Sequence, residues 1–274
     1  MLRPRIIPCL LLEDGDLIKT VKFQRDKYIG DPINAVRIYN EKEVDELVVL
    51  DINASRDSRE PDFALIEKLA AECRMPLCYG GGISTPAHVE RLVSLGVEKV
   101  ATSSAALADP GLIGRAADMV GSQSVVAVLD VAKRKRGYEV MTMRGTQSTG
   151  LDPADAARRM QDAGAGEIIV NSIDRDGTMT GYDLDLARLV HQAVNIPMTV
   201  LGGAGSVEHI AELVGALGLV GAGAGSLFVF KGIYRAVLIN YPGEDVRETL
   251  GNACCEELNA CLKTTGTHST PRRP

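Results

Sequence analysis

The feature that most constrains the fold of this chain is an internal repeat. Gly80-Gly81-Gly82-Ile83-Ser84, followed by His88-Val89-Glu90 and Leu95-Gly96, returns as Gly202-Gly203-Ala204-Gly205-Ser206, followed by His209-Ile210 and Leu217-Gly218. The offset is about 122 residues, nearly half the chain, so two equivalent halves are implied. Short apolar runs alternate with amphipathic stretches throughout. The pattern predicts strands near 6–11, 46–52, 76–80, 98–103, 124–130, 167–173, 197–202 and 219–225. It predicts helices near 32–43, 60–73, 86–95, 109–119, 153–163, 184–194, 207–217 and 230–240. Runs such as Leu47-Val48-Val49-Leu50 and Ile168-Ile169-Val170 are apolar without alternation, as strands of a parallel sheet buried on both faces must be. Eight such units in 274 residues, with no linker between the halves, predict an α/β fold: a single (β/α)8 TIM barrel built from two half-barrel repeats. Residues 1–242 are assigned to the barrel, 243–263 to a candidate extra helix carrying Cys254, Cys255 and Cys261, and 264–274 to a disordered tail.

Charge and composition remove several classes of function. The net charge is −6 and no aromatic-basic interleaving is present, which argues against nucleic acid as a partner. The run Lys133-Arg134-Lys135-Arg136 reads as a solvated loop, with attraction of a phosphate-bearing substrate as the functional alternative. No run approaches the roughly 18 apolar residues of a membrane span, and Met1-Leu2-Arg3-Pro4-Arg5 does not open a signal peptide. A cytoplasmic protein is therefore expected. The six cysteines show no metal-ligand spacing, and His88, His191, His209 and His268 fall in helices or the tail. No metal and no cofactor are expected.

In a barrel the working face lies at the strand C-termini. The turns at Gly81-Gly82, Ser103-Ser104, Gly202-Gly203 and Gly225-Ser226, with Gly177, are candidate phosphate cradles, although tight turns demand glycine in any case. Asp130 and Asp176 follow buried strands and are the candidate proton-transfer groups; Asp51, Asn53 and Asn171 also stand at strand ends, where capping is the commoner role. At the opposite strand ends Arg5, Glu46, Lys99 and Glu167 are two bases and two acids. Turned inward they form a neutralised ring; turned outward they are ordinary solvated charges.

Arg5-Ile6-Ile7-Pro8-Cys9-Leu10, Gly30-Asp31-Pro32, Gly80-Gly81-Gly82-Ile83, Gly164-Ala165-Gly166-Glu167-Ile168 and Ser172-Ile173-Asp174-Arg175-Asp176-Gly177-Thr178 together resemble the HisF family, the cyclase subunits of imidazole glycerol phosphate synthase, over roughly residues 1–240. The resemblance implies a (β/α)8 barrel that receives ammonia from a HisH-type glutaminase docked on its N-terminal face. Arg5, Glu46, Lys99 and Glu167 would be the ammonia gate, and Glu98 a docking residue. The resemblance also implies catalytic aspartates on the first and fifth strands. This chain keeps Asp130 but carries Leu11 at the other position, and Val21–Ile29, Ser103 and Asn171 also depart from the cyclase pattern. These departures resemble the HisF paralogues associated with acetamidino modification of bacterial surface sugars. There, a separate ATP-dependent amidotransferase would use the ammonia on a nucleotide sugar. The alternatives are the histidine-pathway cyclase and a non-catalytic scaffold that activates a glutaminase.

Overall fold

A computed structural model describes residues 3–252. The strands are β1 (Arg5–Glu13), β2 (Asp16–Val21), β3 (Gln24–Gly30), β4 (Leu47–Asp51), β5 (Leu77–Gly80), β6 (Lys99–Thr102), β7 (Val125–Arg134), β8 (Gly137–Thr142), β9 (Gln147–Ser148), β10 (Glu167–Ser172), β11 (Met198–Leu201), β12 (Gly221–Ala224), β13 (Phe230–Lys231) and β14 (Ala236–Val237). The helices are α1 (Pro32–Glu41), α2 (Phe63–Glu72), α3 (Pro86–Ser94), α4 (Ser104–Ala108), α5 (Gly111–Val120), α6 (Pro153–Asp162), α7 (Leu184–His191), α8 (Val207–Leu217) and α9 (Ser226–Val229).

Eight parallel strands close on themselves in the order β1-β4-β5-β6-β7-β10-β11-β12, with β12 pairing back onto β1. This is the predicted (β/α)8 barrel. Helix starts follow capping chemistry: Asp31, Thr85, Asp152, Asp183 and Ser206 each accept a bond from a backbone N–H of the first turn, and Pro32, Pro86 and Pro153 follow three of them.

Side-chain alternation divides each strand between two apolar clusters. On β1, Ile6, Leu10 and Leu12 face the helix layer, while Ile7, Cys9 and Leu11 face the barrel interior beside Val48, Cys78, Val126, Val128, Ile169 and Leu201. β12 presents glycine to that interior. A Cβ at Gly221 would lie 2.0 Å from Thr199 Oγ1, and one at Gly223 would lie 2.2 Å from Leu201 Cδ2, so the side chains of β11 occupy the space that β12 leaves.

Three parts of the outline differ from expectation. Residues 12–31, between the predicted first strand and first helix, form an antiparallel hairpin folded over β1. Its turns are Asp14-Gly15 and Lys22-Phe23, all four at positive φ as type I′ turns require. Likewise, Lys133 and Arg134 end β7, with only Lys135-Arg136 in the turn to β8. The helix expected near 230–240 is instead the β13–β14 hairpin, in which Phe230 pairs with Val237 around a turn containing Gly232 (φ 72°). The eighth helix begins only after Pro242. Residues 244–252 are helical, and Arg247 Nη1 donates to Glu43 O at 3.1 Å. Cys254, Cys255, Cys261 and the expected tail lie outside the described residues. Among the described residues no helix is long and apolar enough to cross a membrane.

Candidate functional site: an ion-paired floor and a cavity with an unmatched acid

The floor of the barrel is built by residues at or just before the starts of β1, β4, β6 and β10. Arg5 Nη1 donates to Glu46 Oε2 at 2.5 Å and Arg5 Nη2 to Glu167 Oε1 at 2.7 Å. Lys99 Nζ donates to Glu46 Oε1 and to Glu167 Oε2, each at 2.8 Å. Thr199 Oγ1 donates to Glu167 Oε1 at 2.6 Å. The ring is closed, with cations and carboxylates alternating. Both carboxylates are buried, and Lys99 keeps 20% of its side chain exposed to the N-terminal face. Burial opposes ionisation of Glu167, but the bonds and charges of Arg5 and Lys99 overcome it and hold the carboxyl at about 2. Glu98, on the same face, is exposed.

Above the floor the interior is apolar, and Arg5 and Leu11 mark its two ends on one strand. Six residues of strand at about 3.3 Å each separate them by roughly 20 Å. At the far end an open cavity of about 1180 Å³, counted out to solvent, is lined by Leu11, Leu50, Ile83, Val128 and Leu201 together with Asp130, Asn171, Asp176, Lys19, Thr20 and Arg144. Gly81, Gly177, Gly202, Gly203 and Gly225, with Ser103, Ser104 and Ser226, also line it. Gly82 stands beside Gly81, its N–H 3.3 Å from Ser55 Oγ. A Cβ at Gly203 would lie 2.1 Å from Gly181 O, and one at Gly177 would lie 2.1 Å from Thr20 O, so these turns need glycine for close approach as well as for φ.

The acids of the cavity are not equivalent. Asp130 sits in a mostly apolar wall, and loss of water pushes its carboxyl up to about 6, against the bond donated by Asn171 Nδ2 at 3.0 Å. Asp176 is also raised by burial, while Thr20 Oγ1 donates to it at 2.8 Å and Lys19 opposes the shift. Asp51 accepts from the N–H groups of Asn53 and Ala54 and so closes the turn after β4; the cap of the next helix is Asp62. Leu11 is buried among the interior side chains, so no acid stands at its place. Among the described residues no group of three His, Cys, Asp or Glu side chains could hold a metal ion.

The sequence profile of the histidine biosynthesis protein family matches residues 5–234. A protein of Leptospira borgpetersenii, provisionally named imidazole glycerol phosphate synthase subunit HisF, is 54% identical over 252 residues, 91% of this chain and 99% of its own length. The chain belongs to the HisF family. A Vibrio vulnificus protein provisionally named as the subunit hisF3 is 55% identical over 244 residues, 88% of this chain and 94% of its own. A Pseudomonas aeruginosa protein provisionally named hisF2 is 52% identical over 243 residues, 88% and 97%. These names mark relatives among the HisF-like paralogues.

Two cations of this HisF-family cavity were not singled out from the sequence. Lys19 is buried on β2 and donates to Cys9 O at 2.6 Å; burial lowers its pKa, against the charges of Cys9 and Asp176. Arg144 comes from the β8–β9 turn, donates to Asn53 Oδ1 at 2.9 Å and lies 3.5 Å from the Glu13 carboxylate. A lone lysine inside the apolar run Leu17-Ile18-Lys19-Thr20-Val21 was the available signal for the first; Arg144 carries none.

The raised Asp130 gives a pH prediction. A carboxyl whose folded pKa lies above its unfolded value contributes stability that is full below the unfolded pKa and lost as pH rises through the folded one. Asp130→Asn is therefore expected to raise the melting temperature at pH 8, by a stabilisation of order 1–2 kcal/mol. The gain should vanish as the pH approaches 4. Scanning calorimetry of both chains from pH 4 to 8 measures it, and a gain independent of pH would place the cause elsewhere.

Proposed function

We propose that this chain is a HisF-type synthase subunit that takes ammonia from a HisH-type glutaminase and passes it through the barrel to an acceptor other than the histidine-pathway ribonucleotide. One observation carries the reading: a complete ring of Arg5, Glu46, Lys99 and Glu167 lies under a cavity that keeps Asp130 and Asp176 but has Leu11 at the first-strand position where the resemblance implies the partner acid of Asp130. The glutaminase docks on the N-terminal face, where Glu98 is exposed beside Lys99. Lys99 is the mobile gate member. It is a flexible ammonium on a four-carbon stem, and its withdrawal leaves Arg5 bridging both carboxylates. Neutral ammonia crosses the apolar interior, where ammonium would meet the full cost of desolvation.

The acceptor in this reading is an N-acetyl group of a nucleotide sugar, activated by a separate ATP-dependent amidotransferase and converted to an acetamidino group for surface polysaccharide. The barrel then needs no acid/base pair, and Leu11 is compatible with function. A phosphorylated ligand remains compatible with the turns of Gly81, Gly82, Ser103 and Ser104 and of Gly177, Gly202, Gly203, Gly225 and Ser226. The buried Ser103 hydroxyl has no partner within the protein, which favours a ligand there.

The second reading, the imidazole glycerol phosphate synthase cyclase, is favoured by the relatives' names and by the retention of Asp130 and Asp176. The two separate in one assay. Purified chain with excess ammonium and formimino-aminoimidazole ribonucleotide is expected to show no turnover above background, because loss of one proton-transfer group costs about 10²- to 10⁴-fold. Turnover at a rate useful to a cell would reverse the assignment.

A further inference from the structure

Five of the most exposed large apolar side chains of the described residues gather on two neighbouring hairpins. Tyr28 is 63% exposed on β3, and Ile233 (88%), Tyr234 (90%), Val237 (44%) and Leu238 (52%) belong to or adjoin the β13–β14 hairpin. The two hairpins touch: Lys27 Nζ donates to Arg235 O at 3.1 Å and lies 4.8 Å from the centre of the Phe230 ring. Both hang from strand C-termini. The β2–β3 turn puts Phe23 into the cavity wall, and β13 follows directly on the helix whose Ser226 lines the same wall. The patch therefore stands on the rim of the mouth, above β12 and β1.

Soluble proteins rarely leave so many large apolar side chains together in water without a partner for them. Several described cations border this patch. Lys22, Lys27 and Lys231 are exposed and Arg235 half-buried, and among the described residues none of Lys27, Lys231 and Arg235 pairs with a carboxylate. On a chain of net charge −6, this is a local positive rim around an apolar centre. On the opposite rim, four strands round the barrel, the β7–β8 turn raises Lys135 and Arg136, both exposed. An occupant that fits is a protein seated across the mouth, with an apolar pocket for Tyr234 and Ile233 and an acidic surround.

We propose that this patch is the docking surface for the ammonia-consuming enzyme, the ATP-dependent sugar amidotransferase of the preceding reading, on which this inference rests. Ammonia that leaves the mouth into water is protonated and diluted, so its consumer must cover the exit. The patch lies beside that exit and on the face opposite the glutaminase, and one barrel can hold both partners at once. The helix that a regular eighth unit would place after β12 stands at 244–252, and this hairpin, anchored in the core by Phe230, holds Ile233 and Tyr234 out at the rim in its place.

The test is binding of the purified full-length chain to the purified amidotransferase of the same organism by biolayer interferometry, at 50 and 300 mM salt. Ile233→Asp with Tyr234→Asp is expected to weaken binding by about 30-fold or more, as loss of a buried aromatic anchor does. Lys231→Glu with Arg235→Glu should weaken it mainly at low salt. Because Ile233 and Tyr234 are almost fully exposed, melting temperature and glutaminase binding should stay unchanged. Amidotransferase binding that survives both double variants overturns the inference and leaves the ammonia-delivery reading standing. So does a patch whose loss abolishes only self-association or only adsorption to anionic lipid vesicles. No binding of the amidotransferase by the unmodified chain removes both.

Discussion

Leu11→Asp is expected to give this barrel a measurable cyclase activity. With ammonium and formimino-aminoimidazole ribonucleotide, the variant should exceed the unmodified chain by about 10²-fold or more, the lower range of what a positioned proton-transfer group supplies. The expectation rests on register. Residues 7, 9 and 11 of β1 all face the interior, so a carboxyl at 11 enters the cavity that holds Asp130 and Asp176. A new acid there loses water and feels two neighbours of like charge, so its pKa rises and the pair divides into one ionised and one protonated member. The substitution costs stability, since a polar group replaces an apolar one in a largely apolar wall. Leu11→Asn controls for this: it carries the same packing and desolvation penalty with no proton to exchange. Activity in the aspartate variant alone identifies the missing acid as the reason the inherited reaction fails. Activity in neither variant would mean that Val21–Ile29, Ser103 or Asn171 has also moved the site away from cyclisation.

The second large effect concerns the floor. Glu167→Gln removes one of two carboxylates that hold Arg5 and Lys99, leaving two cations on Glu46 and an amide against Thr199. Breaking a buried ion-paired network from one side costs about 3–5 kcal/mol, because the remaining charges stay desolvated. Thermal unfolding should show a loss of that order. The acid limb of the stability profile should change too. A carboxyl held at about 2 contributes stability that is present above its unfolded pKa and lost as pH falls through the folded one. The unmodified chain should therefore lose stability between about pH 4.5 and 2 by a contribution that the glutamine variant lacks. In the reconstituted pathway, glutamine-dependent output should fall while output supplied with excess ammonium should not. A fall in both would make the ring a structural element with no part in transfer.

The barrel was legible in the sequence because the repeat and the eight apolar runs each state the same geometry, burial on both faces of parallel strands. The hairpins were missed for different reasons. Asp14-Gly15 between apolar runs is a strong short-range hairpin signal, yet the turn Lys22-Phe23 uses two residues that rarely adopt positive φ, and no propensity argument predicts it. In 230–240 an apolar stretch of ambiguous period predicts an eighth helix, yet Gly232 near its start and Pro242 after it are the turn and breaker signals that agree with the hairpin. Of the site, the floor residues could be named from strand starts, but the closed ring needed coordinates, because four charges at strand ends are equally compatible with facing water. Arg144 reaches the cavity from the turn after β8, across Asn53 of another unit, a contact between positions 91 residues apart that local pattern cannot encode.

The central claim is that ammonia travels through this barrel to an acceptor beyond it. Its most direct test uses glutamine labelled with ¹⁵N at the side-chain amide, in a mixture of the chain, the glutaminase, the amidotransferase, ATP and an N-acetylated nucleotide sugar, with a large excess of unlabelled ammonium. Mass spectrometry of the product reads the origin of the new nitrogen. The account predicts an acetamidino product carrying mainly ¹⁵N, with the label falling toward the bulk ratio when Lys99 or Glu167 is replaced. Product nitrogen that matches the bulk ammonium with the unmodified chain would contradict it, since the barrel would then contribute no protected path.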